Sequence, residues 1–294
     1  MNKQVFRFLI FLECSVAIFV ISTLFVSKYR HEALHTAVMF IRRQGTIKTV
    51  TEQKVLPRTI QFFKTLDEDR AKLLHKTIKT LTRVLDKARI PYFMNYNTLL
   101  GSYRHHGRIP WDHDVAILVS ISHRNKIIRL LNNISDHRLS NFLKVEEGFW
   151  NFYPVAGHKR RHYVFPNIDV YWFRRNSTHV WITHRSLRID YYQIYDIFPT
   201  YRRPFNSLML PAPCNTPLVL SKTYDDLNKC VSSYFSRQQR GPITVPCSQL
   251  YPVQPFVSRS EWSADGSNFI TESLIFNNVV LSNWTYKRFQ CQNA

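Results

Sequence analysis

The chain has 294 residues, enough for one sizeable domain with an extra segment or for two small domains. With 45% apolar and 14% aromatic residues it has ample material for a core, which excludes a chain too polar to fold. Its formal charge of +20 favours anionic partners such as a membrane surface, nucleic acid or phosphate-bearing substrates, and alone selects none of them.

Residues 8–26 form a nearly unbroken apolar run in which Glu13 is the one interruption. As a helix the run extends about 28 Å, just enough to cross a hydrocarbon core of roughly 30 Å. It is expected to be a transmembrane signal anchor after a cytosolic tail, 1–7. A cleaved signal peptide is the rival, with a poor small-x-small cleavage pattern. Lys3 and Arg7 precede the run and Lys28 and Arg30 follow it, so flanking charge does not orient it. Other features do. The sequons at Asn133, Asn176 and Asn283 all follow the run, as glycosylation of a lumenal body requires. Cys214, Cys230, Cys247 and Cys291 crowd the last third, and an even number suits two disulfides in an oxidising lumen, with three connectivities open. No C-x-x-C pair supports a zinc site instead. The expectation is a single-pass type II protein of the Golgi or ER membrane.

A basic stretch without core pattern, 27–63, reads as a stem before a body over 64–294. The body opens on an amphipathic helix. Leu66, Leu73, Leu74, Ile78, Leu81, Leu85 and Ala88 recur at helical spacing, Asp67, Glu68 and Asp69 suit its first turn, and Pro91 marks its stop. "PYFMNY" and "VAILVS" predict strands, "RNKIIRLLNNI" a helix, and "RHYVFPNIDVYWF" and "HVWITH" further strands. After Pro199 the chain becomes proline-rich and is expected to be mostly loop around the disulfides.

The stretch "NTLLGSYRHHGRIPWDHDVAIL", 97–118, carries the chemistry. A strand is expected to end at Asn97, a turn to carry Gly101 and Ser102, and a second strand to start at Asp112. Such a turn could aim N–H groups at a phosphate. On a strand Asp112, Asp114 and Ala116 would share one face, the two carboxylates roughly 7 Å apart at Cα, where a cation would relieve their repulsion. Mg²⁺ or Mn²⁺ suits such oxygen ligands and leaves positions for phosphate. Asp169, in "PNIDVYW", is the candidate third carboxylate. Arg104, His105, His106 and Arg108 form a basic cluster beside the acids. Arg104 and Arg108 are candidate clamps for a pyrophosphate, while the two histidines fit a solvated loop equally well. The basic run 158–162 could also meet phosphates, although such runs are usually solvated. Trp111 is expected to pack beneath the site.

The same stretch resembles the signature of the LicD family, which includes fukutin and fukutin-related protein: approximately Y-x-x-x-x-G-T-L-L-G-x-x-R-x-x-G-x-I-P-W-D-x-D-x-D. Thr98, Leu99, Leu100, Gly101, Arg104, Gly107, Ile109, Pro110, Trp111, Asp112 and Asp114 match without a gap. "NIDVYWF" resembles the family's later acidic strand, and "DIFPTYRRPFNSLMLPAPCNTPLVLSKTYDD" its closing pattern, so the resemblance spans 73–226. It implies an α+β nucleotidyltransferase-like fold, a mixed β-sheet flanked by helices. It also implies metal-dependent transfer of a phosphorylated alcohol, of the ribitol phosphate or phosphocholine type, from a CDP-activated donor to a glycan or glycoprotein. The positive charge would then serve these partners rather than a nucleic acid polymer. Two departures stand out. Asn97 replaces the first glycine of G-T-L-L-G, and Ala116 replaces the last Asp of W-D-x-D-x-D. The second removes an acid, leaving Asp112 and Asp169 to compensate or the chain silent. A silent glycan- or partner-binding relative and a D-x-D glycosyltransferase using a nucleotide sugar are the alternatives.

Overall fold

The computed structural model describes residues 62, 66–140, 150–159, 164–183, 189–236, 241–288 and 291, all within one compact unit, Leu56–Ala294. The apolar run 8–26 and the stem, apart from Phe62, lie outside the described residues, as does most of 158–162. Among the described residues no helix is long and apolar enough to cross a membrane.

Helix α1 (Glu68–Lys87) forms where the periodicity predicts it. The Asp67 carboxylate caps it by accepting the Arg70 N–H at 2.9 Å. Leu74, Ile78, Leu81 and Leu85 are buried along one face. Strand β1 (Tyr92–Met94) leads into helix α2 (Tyr96–His105), followed by β2 (Val115–Ser120) and α3 (Arg124–Asn132). Then come β3 (His137–Ser140), β4 (Trp150–Pro154), a two-residue pair β5 (His158–Lys159) and β6 (Val164–Phe165), β7 (Ile168–Arg175), β8 (His179–Thr183) and β9 (Ile189–Gln193).

The main sheet runs β1-β2-β7-β4-β3, with β8 and β9 continuing from β7. β2 and β7 are parallel, and the other pairs are antiparallel. This is the mixed sheet with flanking helices that the sequence led us to expect. All six residues of β2 are buried, as expected of a central strand covered on both faces.

The region after Pro199 corrects an expectation. It is built of hairpins rather than loop. After a short helix α4 (Ile194–Ile197), β10 (Tyr201–Phe205) pairs with β11 (Leu208–Ala212). Helix α5 (Thr216–Thr223) leads to the pair β12 (Lys229–Ser236) and β13 (Gly241–Pro246). A sheet of β14 (Phe256–Ala264), β15 (Ser267–Phe276) and β16 (Val279–Lys287) follows. Two-residue turns make this possible. Asp265 and Gly266, and likewise Asn277 and Asn278, all have positive φ, the backbone that matches strand twist. Asp-Gly is a hairpin signal that the proline content masked.

Two disulfides tie this region down, Cys214–Cys291 and Cys230–Cys247, with Cα separations of 5.9 and 5.0 Å. The two-disulfide expectation holds, and the fold selects the connectivity. Closing loops of 77 and 17 residues removes chain entropy worth about 4.5 and 3 kcal/mol in the unfolded state on a loop-closure model. All four thiols should resist alkylation until reduced, and labelling of any in the native, unreduced protein would contradict the pairing.

The turn expected around Gly101 and Ser102 is instead the middle of α2. Gly101 is there because the chain folds back on the helix. A Cβ at 101 would overlap the Gly107 carbonyl oxygen and lie 2.9 Å from the Ile109 nitrogen. A Cβ at Gly107 would overlap the Asn206 side chain. Helix interiors disfavour glycine by about 1 kcal/mol, and the close approach outweighs that local cost. Gly101→Ala should therefore destabilise the domain by about 1–3 kcal/mol, the cost of overpacking, measured as a lower urea midpoint at unchanged slope.

Candidate functional site

The acids Asp112 and Asp114 precede β2 rather than lying on it, which corrects the expected strand start. The reason is local. The Asp112 Oδ1 accepts the N–H of His113 at 2.7 Å and of Asp114 at 3.2 Å, a side-chain capture that competes with ladder pairing. Strand alternation therefore does not govern these residues. The ligand atoms of Asp112, His113 and Asp114 all lie within 4.8 Å of one another. Asp112 is buried, while the His113 and Asp114 side chains keep 45% and 67% of their exposure, so the cluster opens to solvent. His113 was not singled out in the sequence, because alternation would have sent it to the opposite face.

Asp169 does not join that group. It lies on β7 directly beside Ala116 of β2 and Asn151 of β4. Its Oδ1 accepts from the Asn151 Nδ2 at 2.5 Å and the Asn167 Nδ2 at 3.0 Å. Residues paired across a sheet share a face. An acid at 116 would therefore stand next to Asp169, and Ala116 leaves that place apolar. The Ala116 N–H donates to the Thr98 Oγ1 at 2.7 Å.

Asp112 also lines a pocket of about 240 Å³ together with Asn97, Arg104, Trp111, Tyr224 and Lys229. Asn97 bridges two of these groups: its Nδ2 donates to the Asp112 Oδ2 at 2.6 Å, and its Oδ1 accepts from the Tyr224 hydroxyl at 2.7 Å. Burial, and then the Asp112 charge, push the Tyr224 pKa up, so the phenol stays a donor. The first departure from the family pattern thus holds Asp112 in place.

The basic cluster divides. Arg104 is buried in the pocket wall, its guanidinium donating to the Leu227 and Lys229 carbonyls. Burial lowers its pKa, partly offset by Tyr224 and Asp226. Ser102 is buried, its hydroxyl donating to the Pro204 carbonyl at 2.7 Å. Gly101 is buried within α2. Arg108 lines a different groove and donates to the Ile109 and Pro110 carbonyls. Burial lowers its pKa, and the Asp112 charge opposes that. His105 and His106 are buried rather than solvated. Burial pushes the His105 pKa down to about 3, so its Nδ1–H is a neutral donor to the Pro255 carbonyl at 2.7 Å. His106, in the left-handed conformation at the end of α2, meets Glu272 at 3.1 Å. Trp111 is buried but lines the pocket, and its Nε1 donates to the Val231 carbonyl at 2.9 Å. Tyr224 and Lys229 were not predicted, since nothing local marks residues more than a hundred positions from Asp112.

Two carboxylates and an imidazole, of which Asp112 also lines the pocket with Arg104 and Lys229, form a donor set that fits a hard divalent ion, with coordination positions left for a phosphate. Residues 89–215 match the family model LicD/FKTN/FKRP, nucleotidyltransferase domain. No curated protein matches the chain. The family match supports a phosphotransferase-type, glycan-modifying function that uses a nucleotide-activated donor.

Proposed function

We propose that this protein, whose residues 89–215 match the LicD/FKTN/FKRP nucleotidyltransferase domain model, transfers a phosphorylated alcohol, of the ribitol phosphate or phosphocholine type, from a CDP-activated donor to a glycan. The observation that carries this reading is the Asp112-His113-Asp114 cluster, whose Asp112 also lines the pocket. These three residues would hold Mg²⁺ or Mn²⁺, which supplies Lewis-acid polarisation of phosphoryl oxygens. An acceptor hydroxyl oxygen forms a bond to the phosphorus that bears the alcohol. The bond from that phosphorus to the CMP oxygen breaks, CMP leaves with the electron pair, and the hydroxyl proton passes to a carboxylate at the site. Asn97 and the His113 and Asp114 N–H groups keep the Asp112 carboxyl oriented. The test is donor cleavage by the full chain with CDP-ribitol, CDP-choline and nucleotide sugars, with and without Mn²⁺. Metal-dependent release of CMP from a CDP-alcohol is expected. Cleavage of nucleotide sugars alone would favour the glycosyltransferase reading.

One observation favours a silent relative: Ala116 stands beside Asp169 where the family pattern has an acid. Ala116→Asp separates the two readings. If catalysis is only weakened, this variant raises CMP release. If metal binds but no CDP-alcohol is cleaved even by this variant, the silent reading is the better account.

The body is further proposed to lie in the Golgi or ER lumen, anchored by 8–26 as a single-pass type II protein. Two disulfides and the exposure of Asn133, Asn176 and Asn283 support this. Endoglycosidase treatment should increase gel mobility, and replacing all three asparagines by Gln should abolish the shift.

A further inference from the structure

Two residues of the motif direct their donors at a strand far away in sequence. Arg104 donates to the carbonyls of Leu227 and Lys229, and Trp111 donates to that of Val231. Lys229 and Val231 are alternate residues of β12, so their carbonyls lie along one edge of it, and Leu227 sits in the turn that leads into the strand. Arg104 also approaches the Cys230 Sγ at 3.7 Å, and Cys230 is bonded to Cys247. The segment is thus clamped from both sides. It lies outside the matched residues 89–215, yet Lys229, Val231 and Ser232 line the same pocket as Asp112.

Two donors at this pocket remain for a ligand. Among the described residues the buried Arg104 Nε has no hydrogen-bond partner, which is costly for a guanidinium unless something accepts from it. The Lys229 side chain keeps 61% of its exposure, and its ammonium makes a long contact of 3.8 Å with Asp226. At about 240 Å³ the pocket has room for a phosphate and a short polyol. Arg104 and Lys229 give the pocket two positive charges, which suit an anion.

We propose that this tail strand completes the donor site, with Lys229 and the Arg104 Nε–H binding a phosphate oxygen of the donor while the pocket holds the phosphorylated alcohol. The inference rests on the transferase reading above. It makes Lys229 a substrate-binding residue and gives Arg104 a second task beside clasping the strand.

The test titrates full-length protein with inorganic pyrophosphate at saturating Mn²⁺, and separately with Mn²⁺ alone. Lys229→Gln should weaken pyrophosphate binding at least tenfold, about 1.4 kcal/mol. Lys229→Arg should restore most of it, and neither variant should change Mn²⁺ affinity or thermal stability. Lys72→Gln, on the exposed face of α1, should bind as wild type. If Lys229→Gln binds pyrophosphate as wild type while Asp114→Ala still loses Mn²⁺, the inference fails and the transferase reading stands. Equal loss of Mn²⁺ and pyrophosphate in Lys229→Gln would show a structural role and overturn it. Wild-type protein that binds neither ligand and cleaves no CDP-alcohol would remove the transferase reading and this inference together.

Discussion

Glu272→Gln should cost the domain about 3–5 kcal/mol, the penalty for breaking a buried ion pair from one side. The Glu272 side chain is fully buried, and so, to within 1%, is that of Arg203. Its Oε2 accepts from the Arg203 Nη2 at 2.6 Å and the His106 Nε2 at 3.1 Å, and its Oε1 from the Arg259 Nε at 2.9 Å. The amide keeps the shape but leaves the Arg203 guanidinium charged and uncompensated. Thermal unfolding should fall by roughly 10 °C in a domain of this size. Arg288→Gln, which breaks an exposed pair with Glu261, should change stability by less than about 1 kcal/mol. Equal effects of the two variants would refute the buried-network account.

The same residue sets an acid limit. Burial alone would raise the Glu272 pKa, but the His106 hydrogen bond and the Arg203 and Arg259 charges outweigh it and hold the carboxyl down at about 2. A depressed carboxyl contributes its stability in full above the unfolded value of about 4.3. That contribution is lost as pH falls from there through the folded value. Wild-type stability should therefore decline between about pH 5 and pH 2. Glu272→Gln should lack that part of the decline.

Asp114→Ala and Asp112→Asn should each lower CMP release by about a hundredfold or more, the scale set by removing a group that holds transition-state charge. Their metal titrations should differ in kind. Asp114 is largely exposed, so its replacement should remove the proposed metal ligand without disturbing the fold. Asp112 is buried and organises the Asn97, His113 and Asp114 contacts, so its amide should also lower thermal stability. Calorimetry with Mn²⁺ checks both. If Asp114→Ala keeps wild-type metal affinity and turnover, Asp-His-Asp is only a surface turn and the enzyme reading falls.

Much of the core was legible because its signals are local and periodic. The α1 stripe of Leu74, Ile78, Leu81 and Leu85 and the apolar run of β2 follow from burying one helix face and a central strand. The α2 helix was misread because Gly101 interrupts it, and glycine's usual local meaning is a turn. Only the returning Gly107 carbonyl shows why that residue sits in a helix. The hairpins after Pro199 were partly legible in Asp265-Gly266. Their register was not, because it depends on which strand face finds a buried partner.

The sequence by itself determined that Asp112, Asp114, Arg104 and Trp111 stand together in one short segment, and that four cysteines pair. Covalent proximity and composition suffice for that. It could not determine what these side chains do. Arg104 and Trp111 face residues 227–231, His113 rather than Asp169 joins the two acids, and Cys214 reaches Cys291 rather than a nearer thiol. Each of these outcomes depends on contacts between residues far apart in the chain, and packing of the whole domain selects them. Lys229 could be placed at the Asp112 pocket only once that packing had brought the tail strand against α2.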